Sequence, residues 1–147
     1  MFLNELKKDE GIAFLDLVKE LANVDETFSK EEIQLYNDYL EELNLKDEKN
    51  LNIGFEQSVK KLKDASSRNK EIIYFELIGL ALIDGEYEEK EVSFLEKLGK
   101  ELGITRSKKI SFANYFYNFK DIYDFSVVDF DSKIELLKRQ AEKLLTK

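Results

Sequence analysis

Cysteine, histidine and proline are all missing from this chain of 147 residues. Without cysteine and histidine there can be no disulfide, no thiolate nucleophile, no zinc site of the usual nitrogen or sulfur kind and no histidine-based triad. Long apolar runs are missing too: none approaches the roughly 20 residues that span a bilayer. The opening "MFLNELKKDE" turns charged too soon for a secretion signal. The expected location is therefore cytoplasmic, with no direct membrane insertion.

Positive charge is in short supply. Thirty-one acidic side chains face 23 basic ones, a net charge of −8, so the averaged field repels nucleic-acid phosphates and anionic headgroups, and no nucleic-acid partner is expected. The nearest basic grouping, Lys60, Lys61, Lys63, Arg68 and Lys70, reads as cations spread along a solvated helix face. With 43% hydrophobic and 37% charged residues, the composition is that of a globular protein, and the length suits one domain (1–147) with a core that needs no metal or disulfide.

Only six glycines interrupt the chain, and apolar residues recur three and four positions apart through most of it. The pattern predicts an all-α, single-domain bundle of about seven or eight helices, placed near 2–8, 11–24, 29–44, 51–65, 69–83, 88–102, 105–119 and 132–146. "IIYFELIGLALI", Ile72 to Ile83, carries a single charge, Glu76, and is apolar around nearly its whole circumference. Such a helix belongs in the middle of a bundle. Gly79 within it costs about 1 kcal/mol relative to alanine, a cost that close approach by a neighbouring helix offsets.

"NVDETFSKEEI" and "LIDGEYEEKEV" are copies of one another. Asp84 lies 59 positions after Asp25, and at that interval Leu21 and Leu80, Ala22 and Ala81, Val24 and Ile83, Phe28 and Tyr87, Glu32 and Glu91, Ile33 and Val92, Tyr39 and Leu98, Leu43 and Leu102, and Leu45 and Ile104 match in kind. This predicts two pseudo-symmetric helical hairpins that bury their apolar sides together.

Each copy reads Asp, aromatic, Glu: Asp25, Phe28, Glu32 and then Asp84, Tyr87, Glu91. Three readings stand. As structural turns, Ser29 caps the next helix with Glu32 reaching back in a capping box, and Gly85 supplies a positive φ. As a metal site, Asp25, Glu32, Asp84 and Glu91 would converge on a hard divalent cation such as calcium or magnesium. This is no EF-hand, because Leu95 stands where the closing bidentate Glu would be. As a docking surface, the same carboxylates would meet a protein partner.

The segments "ALIDGEYEEKEVSFLEKLGKELGI" and "ELANVDETFSKEEIQLYNDYLEELNL" resemble the TerB-like family, named for a tellurite-resistance protein, and are similar to the N-terminal region of certain membrane-anchored J-domain co-chaperones. The resemblance covers roughly Ile12 to Ile104. It implies an all-helical bacterial cytoplasmic domain of stress or resistance systems, with suspected divalent-cation binding and no established catalysis. Position by position, it carries the acidic role to Asp84 and Glu91, then Asp25 and Glu32. The first copy departs from the pattern, with Glu26 in place of the glycine.

Between Phe112 and Phe130 the chain reads "FANYFYNFKDIYDFSVVDF", in which Phe112, Phe116, Phe119 and Tyr123 trace one helical stripe. It reads as an internal stripe, or else as an aromatic surface for a peptide or helix. The last segment, starting at Asp131 or Ser132, puts Ile134, Leu137, Ala141 and Leu144 or Leu145 on one side. It closes the bundle or pairs with another copy as a homodimer. The function expected is non-enzymatic: an interaction module, or alternatively a cation-binding protein.

Overall fold

The computed structural model describes residues 2–23, 30–45, 53–82, 89–124 and 130–147, with the side chains of Asn23, Glu31, Glu32 and residues 119–124 and 130–134 set aside. Among them are one short 3-10 turn, Leu3–Glu5, and seven helices: α1 Lys8–Asn23, α2 Lys30–Glu42, α3 Phe55–Leu62, α4 Ser67–Leu82, α5 Glu89–Leu102, α6 Arg106–Asp124 and α7 Phe130–Leu144. The fold is all-α. α4 lies at the centre, packing against α1, α5, α6 and the 3-10 turn, while α3 packs on α1 and α5, and α7 packs on α6. The centrality follows from the side chains: Ile72, Ile73, Phe75, Leu77 and Ile78 are all buried on a helix with no polar face to leave in water.

Helix starts follow local chemistry. Ser66 Oγ accepts the Asn69 N–H at 3.1 Å, and Thr105 Oγ1 accepts the Lys108 N–H at 3.2 Å, so α4 and α6 begin at N-caps. The expected helix at 2–8 is instead the 3-10 turn, and α1 begins at Lys8 rather than near residue 11. Lys7 has no capping oxygen, but Glu10 reaches back and accepts the Lys7 N–H at 2.9 Å, half of a capping box. That bond carries the helix through Gly11, whose missing side chain admits Leu43: a Cβ there would lie 3.1 Å from a Leu43 methyl. α3 is shorter than the expected 51–65 because Gly54, at φ 85°, stops it on the N-terminal side.

The 59-residue interval governs the backbone as well as the side chains. α1 and α4 begin 59 residues apart, at Lys8 and Ser67. The first helical bonds correspond, Gly11 N to Lys7 O at 2.8 Å and Lys70 N to Ser66 O at 3.0 Å. So do the turns before them, Leu6 N to Leu3 O at 3.0 Å and Ala65 N to Leu62 O at 3.1 Å. α2 and α5 end in the same Schellman motif, Asn44 at φ 56° and Gly103 at φ 71° taking the left-handed position. Its closing bonds are Leu45 N to Leu40 O at 2.9 Å and Ile104 N to Gly99 O at 2.8 Å.

Burial repeats with the backbone: Leu21 and Leu80, Ala22 and Ala81, Tyr39 and Leu98, and Leu45 and Ile104 are all buried. Phe14 and Tyr39 join α1 to α2 edge-on, ring centres 5.0 Å apart, and their equivalents Ile73 and Leu98 are both buried between α4 and α5.

Candidate functional site

The acidic turns join equivalent helix ends, α1 to α2 and α4 to α5. Asp25 and Asp84 lie outside the described residues, as do Ser29, Phe28 and Tyr87. Glu32 falls in the first turn of α2 by its backbone, and its side chain is outside the description. Glu91, the equivalent position in α5, is described: it is buried, in the first turn, where a carboxylate meets the positive end of the helix dipole. Among the described residues, no three acidic side chains gather as a metal-sized cluster. Whether the four carboxylates converge therefore lies outside the described residues.

The half-buried Glu76 carboxyl is held above its usual range, first by burial and further by the Glu42 carboxylate, with the Phe2 amide opposing. The same acids, Glu76 first, add to burial in raising the Tyr39 phenol well above its ordinary value.

Three polar nodes that sequence patterning did not reveal join distant parts of the chain. At the first, Glu10 Oε1 also accepts Asn69 Nδ2 at 2.9 Å, tying the start of α1 to the start of α4. At the second, buried Asp16 accepts Ser58 Oγ at 2.7 Å and the Ile53 N–H at 3.3 Å, fastening α1 to the head of α3. Beside it, burial lowers the Lys19 ammonium, with Asp16 opposing, and Lys19 lies 5.6 Å from the centre of the Tyr36 ring.

The third node holds the C-terminal helix. Arg68 binds Glu5 at 2.7 and 3.1 Å and Glu142 at 2.9 Å through both terminal nitrogens, and also donates to Thr146 O at 3.2 Å. These bonds push the guanidinium above its ordinary value, Glu5 contributing most, and hold the Glu142 carboxyl below its own, through the Arg68 hydrogen bond first. Behind Arg68, buried Glu71 accepts the Thr146 N–H at 2.8 Å and Thr146 Oγ1 at 2.6 Å. Lys108 sits 3.4 Å from Glu71 and donates to the Leu144 carbonyl. The only periodicity that could have marked these groups was absent, since ion pairs 63 and 74 residues apart leave no local pattern.

Arg68 is thus committed to carboxylates within the protein and is not part of a phosphate-binding face, while Lys60, Lys61 and Lys63 are exposed. The aromatic stripe is internal where it is described. Phe112 is buried and Phe116 half-buried, and Phe75 of α4 packs on Phe112, Tyr115 and Phe116 at 5.3, 5.1 and 4.7 Å between ring centres. Phe119 and Tyr123 lie outside the described side chains. Tyr115 Oη donates to the Leu137 carbonyl at 2.9 Å, and Leu137, Ala141 and Leu145 are buried, so α7 covers α6.

Among the described residues no helix is long and apolar enough to cross a membrane. Comparison with protein-family models, curated proteins and solved structures finds no match for this chain.

Proposed function

We propose that this chain is a TerB-like helical domain: a non-catalytic bacterial cytoplasmic interaction module of a stress or resistance system, which meets a protein partner through its two acidic turns. The observation that supports this is the recurrence at 59 residues of the starts of α1 and α4, first-turn bonds and Schellman caps. A duplicated hairpin presents two equivalent joints, and each joint is written in acidic residues, Asp25 with Glu32 and Asp84 with Glu91. The buried acids Glu10, Asp16 and Glu71 are spent on fastening helices together. Affinity capture from bacterial lysate tests it: a specific partner retained by the native protein and lost with Asp25→Ala and Asp84→Ala is expected, and the same proteins retained by both would refute it.

Buried Glu91 supports a second reading, in which the carboxylates of both turns hold a divalent cation. Titration calorimetry with calcium, magnesium and manganese separates the two. Heat of binding together with a rise in Tm at millimolar ion, both weakened by Asp84→Asn, favours the cation. No heat and no rise removes it.

A further inference from the structure

The outer face of α6 carries an inference that goes beyond the proposed function and does not rest on the acidic turns. α6 turns Phe112, Tyr115 and Phe116 inward, against α4 and α7. On its opposite side, at helical spacing, stand Arg106, Ile110, Ala113, Asn114 and Tyr117. Ile110 is 52% and Tyr117 60% exposed, the two most exposed large apolar side chains among the described residues. They lie seven positions apart, two turns or about 10 Å along one face. No charge lies between them: Ile110 to Phe119 is the longest uncharged run in a chain that is 37% charged. Single exposed apolar residues are ordinary. Two on one uncharged stripe, with small Ala113 between them, are arranged for a neighbour.

The register specifies that neighbour. Turned end for end about the midpoint between Ala113 and Asn114, the stripe matches itself: Ile110 falls opposite Tyr117, and Ala113 opposite Asn114, each twice by symmetry. One turn further out, Arg106 falls opposite position 121, an aspartate in the sequence whose side chain is outside the described residues. Arg106 is exposed and, among the described residues, forms no ion pair. Two copies of a chain with net charge −8 repel each other, and an uncharged stripe is where they can meet without setting like charges face to face.

We propose that the outer face of α6 is a self-association surface, on which a second copy of this chain lays its own α6 antiparallel, in an isologous pair about a twofold axis between Ala113 and Asn114. Ala113 lets the two helix axes approach to the ordinary packing distance of about 8–10 Å. One helix from each copy makes a small interface, below about 1,200 Å² in total, so the dimer exchanges with monomer rather than forming an obligate pair.

Sedimentation equilibrium of the purified full chain, from micromolar to millimolar concentration, should show the mass climbing toward twice that of the monomer. Ile110→Glu should weaken the association at least about tenfold, while Ile33→Glu, the same change at an exposed apolar position on α2, should leave it unchanged. Both positions are exposed, and circular dichroism checks that each variant folds. Because the chain has no native cysteine, oxidative cross-linking reads the register directly. Asn114→Cys, beside its own counterpart across the axis, should form a disulfide-linked dimer. Ile110→Cys, about 10 Å along the helix from its counterpart, should not link to itself but should link to Tyr117→Cys when the two variants are mixed. Arg106→Asp should weaken the dimer, and adding Asp121→Arg should restore it. A mass that stays monomeric, or a dimer indifferent to Ile110→Glu, overturns the self-association surface. Cross-linking at 110 as fast as at 114, or no recovery in the double charge reversal, overturns the antiparallel register. None of these readouts involves the acidic turns or a cellular partner, so each can fail while the proposed function stands.

Discussion

Asn69 donates its side-chain amide to Glu10 Oε1 at 2.9 Å, and the two residues occupy the same place in successive repeats, 59 positions apart. This contact brings the starts of α1 and α4 together. The repeats differ in how they reach it: α1 takes its N-terminal cap from Glu10, and α4 from Ser66. Glu10 is 4% exposed, so removing its Asn69 partner leaves a buried carboxylate short of one donor. Asn69→Ala is expected to cost about 1–3 kcal/mol, a fall of roughly 2–10 °C in Tm for a chain of this size, measured by thermal unfolding. Asn69→Asp, which sets two carboxylates face to face, should cost more.

Much of this architecture was legible in the sequence, for a definite reason. Helical periodicity and the apolar matches at 59 residues report burial, and burial is what the fold repeats: Leu21 with Leu80 and Leu45 with Ile104 are buried as pairs. What escaped was polar. Asp16 with Ser58 and Arg68 with Glu142 join residues 42 and 74 apart, and a charged residue on a helix looks the same in sequence whether it faces water or a distant partner. Helix starts were also missed where a cap acts backwards, as Glu10 does on Lys7. Of the four carboxylates read as a site, only Glu91 has a described side chain. Its burial was not legible, because its neighbours Glu88, Glu89 and Lys90 are charged as well.

Gly79 tests the close packing of α4 on α6. A Cβ at this position would lie 2.7 Å from Cζ of Phe116, whose ring is already packed between a tilted Phe75 and an edge-on Tyr115, with ring centres at 4.7 and 4.9 Å. Alanine gains about 1 kcal/mol of helix propensity but overpacks a filled space, which costs about 1–3 kcal/mol. Gly79→Ala should therefore lower the denaturation midpoint in urea. In the Phe116→Ala background, where the obstructing ring is gone, the same change should raise it.

The pair Asp16 and Ser58 stands where the second repeat places Phe75 against the aromatic side of α6. Ser58 is fully buried and Asp16 nearly so, so Ser58→Ala removes a charge-assisted bond and leaves the buried carboxylate short of one donor. A loss of about 1–3 kcal/mol is expected. A double-mutant cycle with Asp16→Asn should show coupling of at least about 0.5 kcal/mol, while residues at the Arg68 clasp, mutated in the same way, should add independently.

Two acids give stability opposite dependences on pH. Glu142 has a folded-state pKa below the ordinary carboxyl value of 4.5, so its contribution is full above 4.5 and is lost as pH falls through the lower folded value. Glu76 has a folded-state pKa raised above 4.5, so its protonated form favours the fold, and that contribution is complete below 4.5 and shrinks as pH rises toward the folded value. Glu142→Gln should therefore flatten the loss of stability on the acid side, whereas Glu76→Gln should flatten the decline that begins above 4.5, both read from denaturant midpoints across a pH series. Because Arg68 holds Glu142 at the edge of water, added salt should shrink the Glu142 effect. Glu76 is half-buried, and its shift comes first from burial, so its own effect should change little in the same salt.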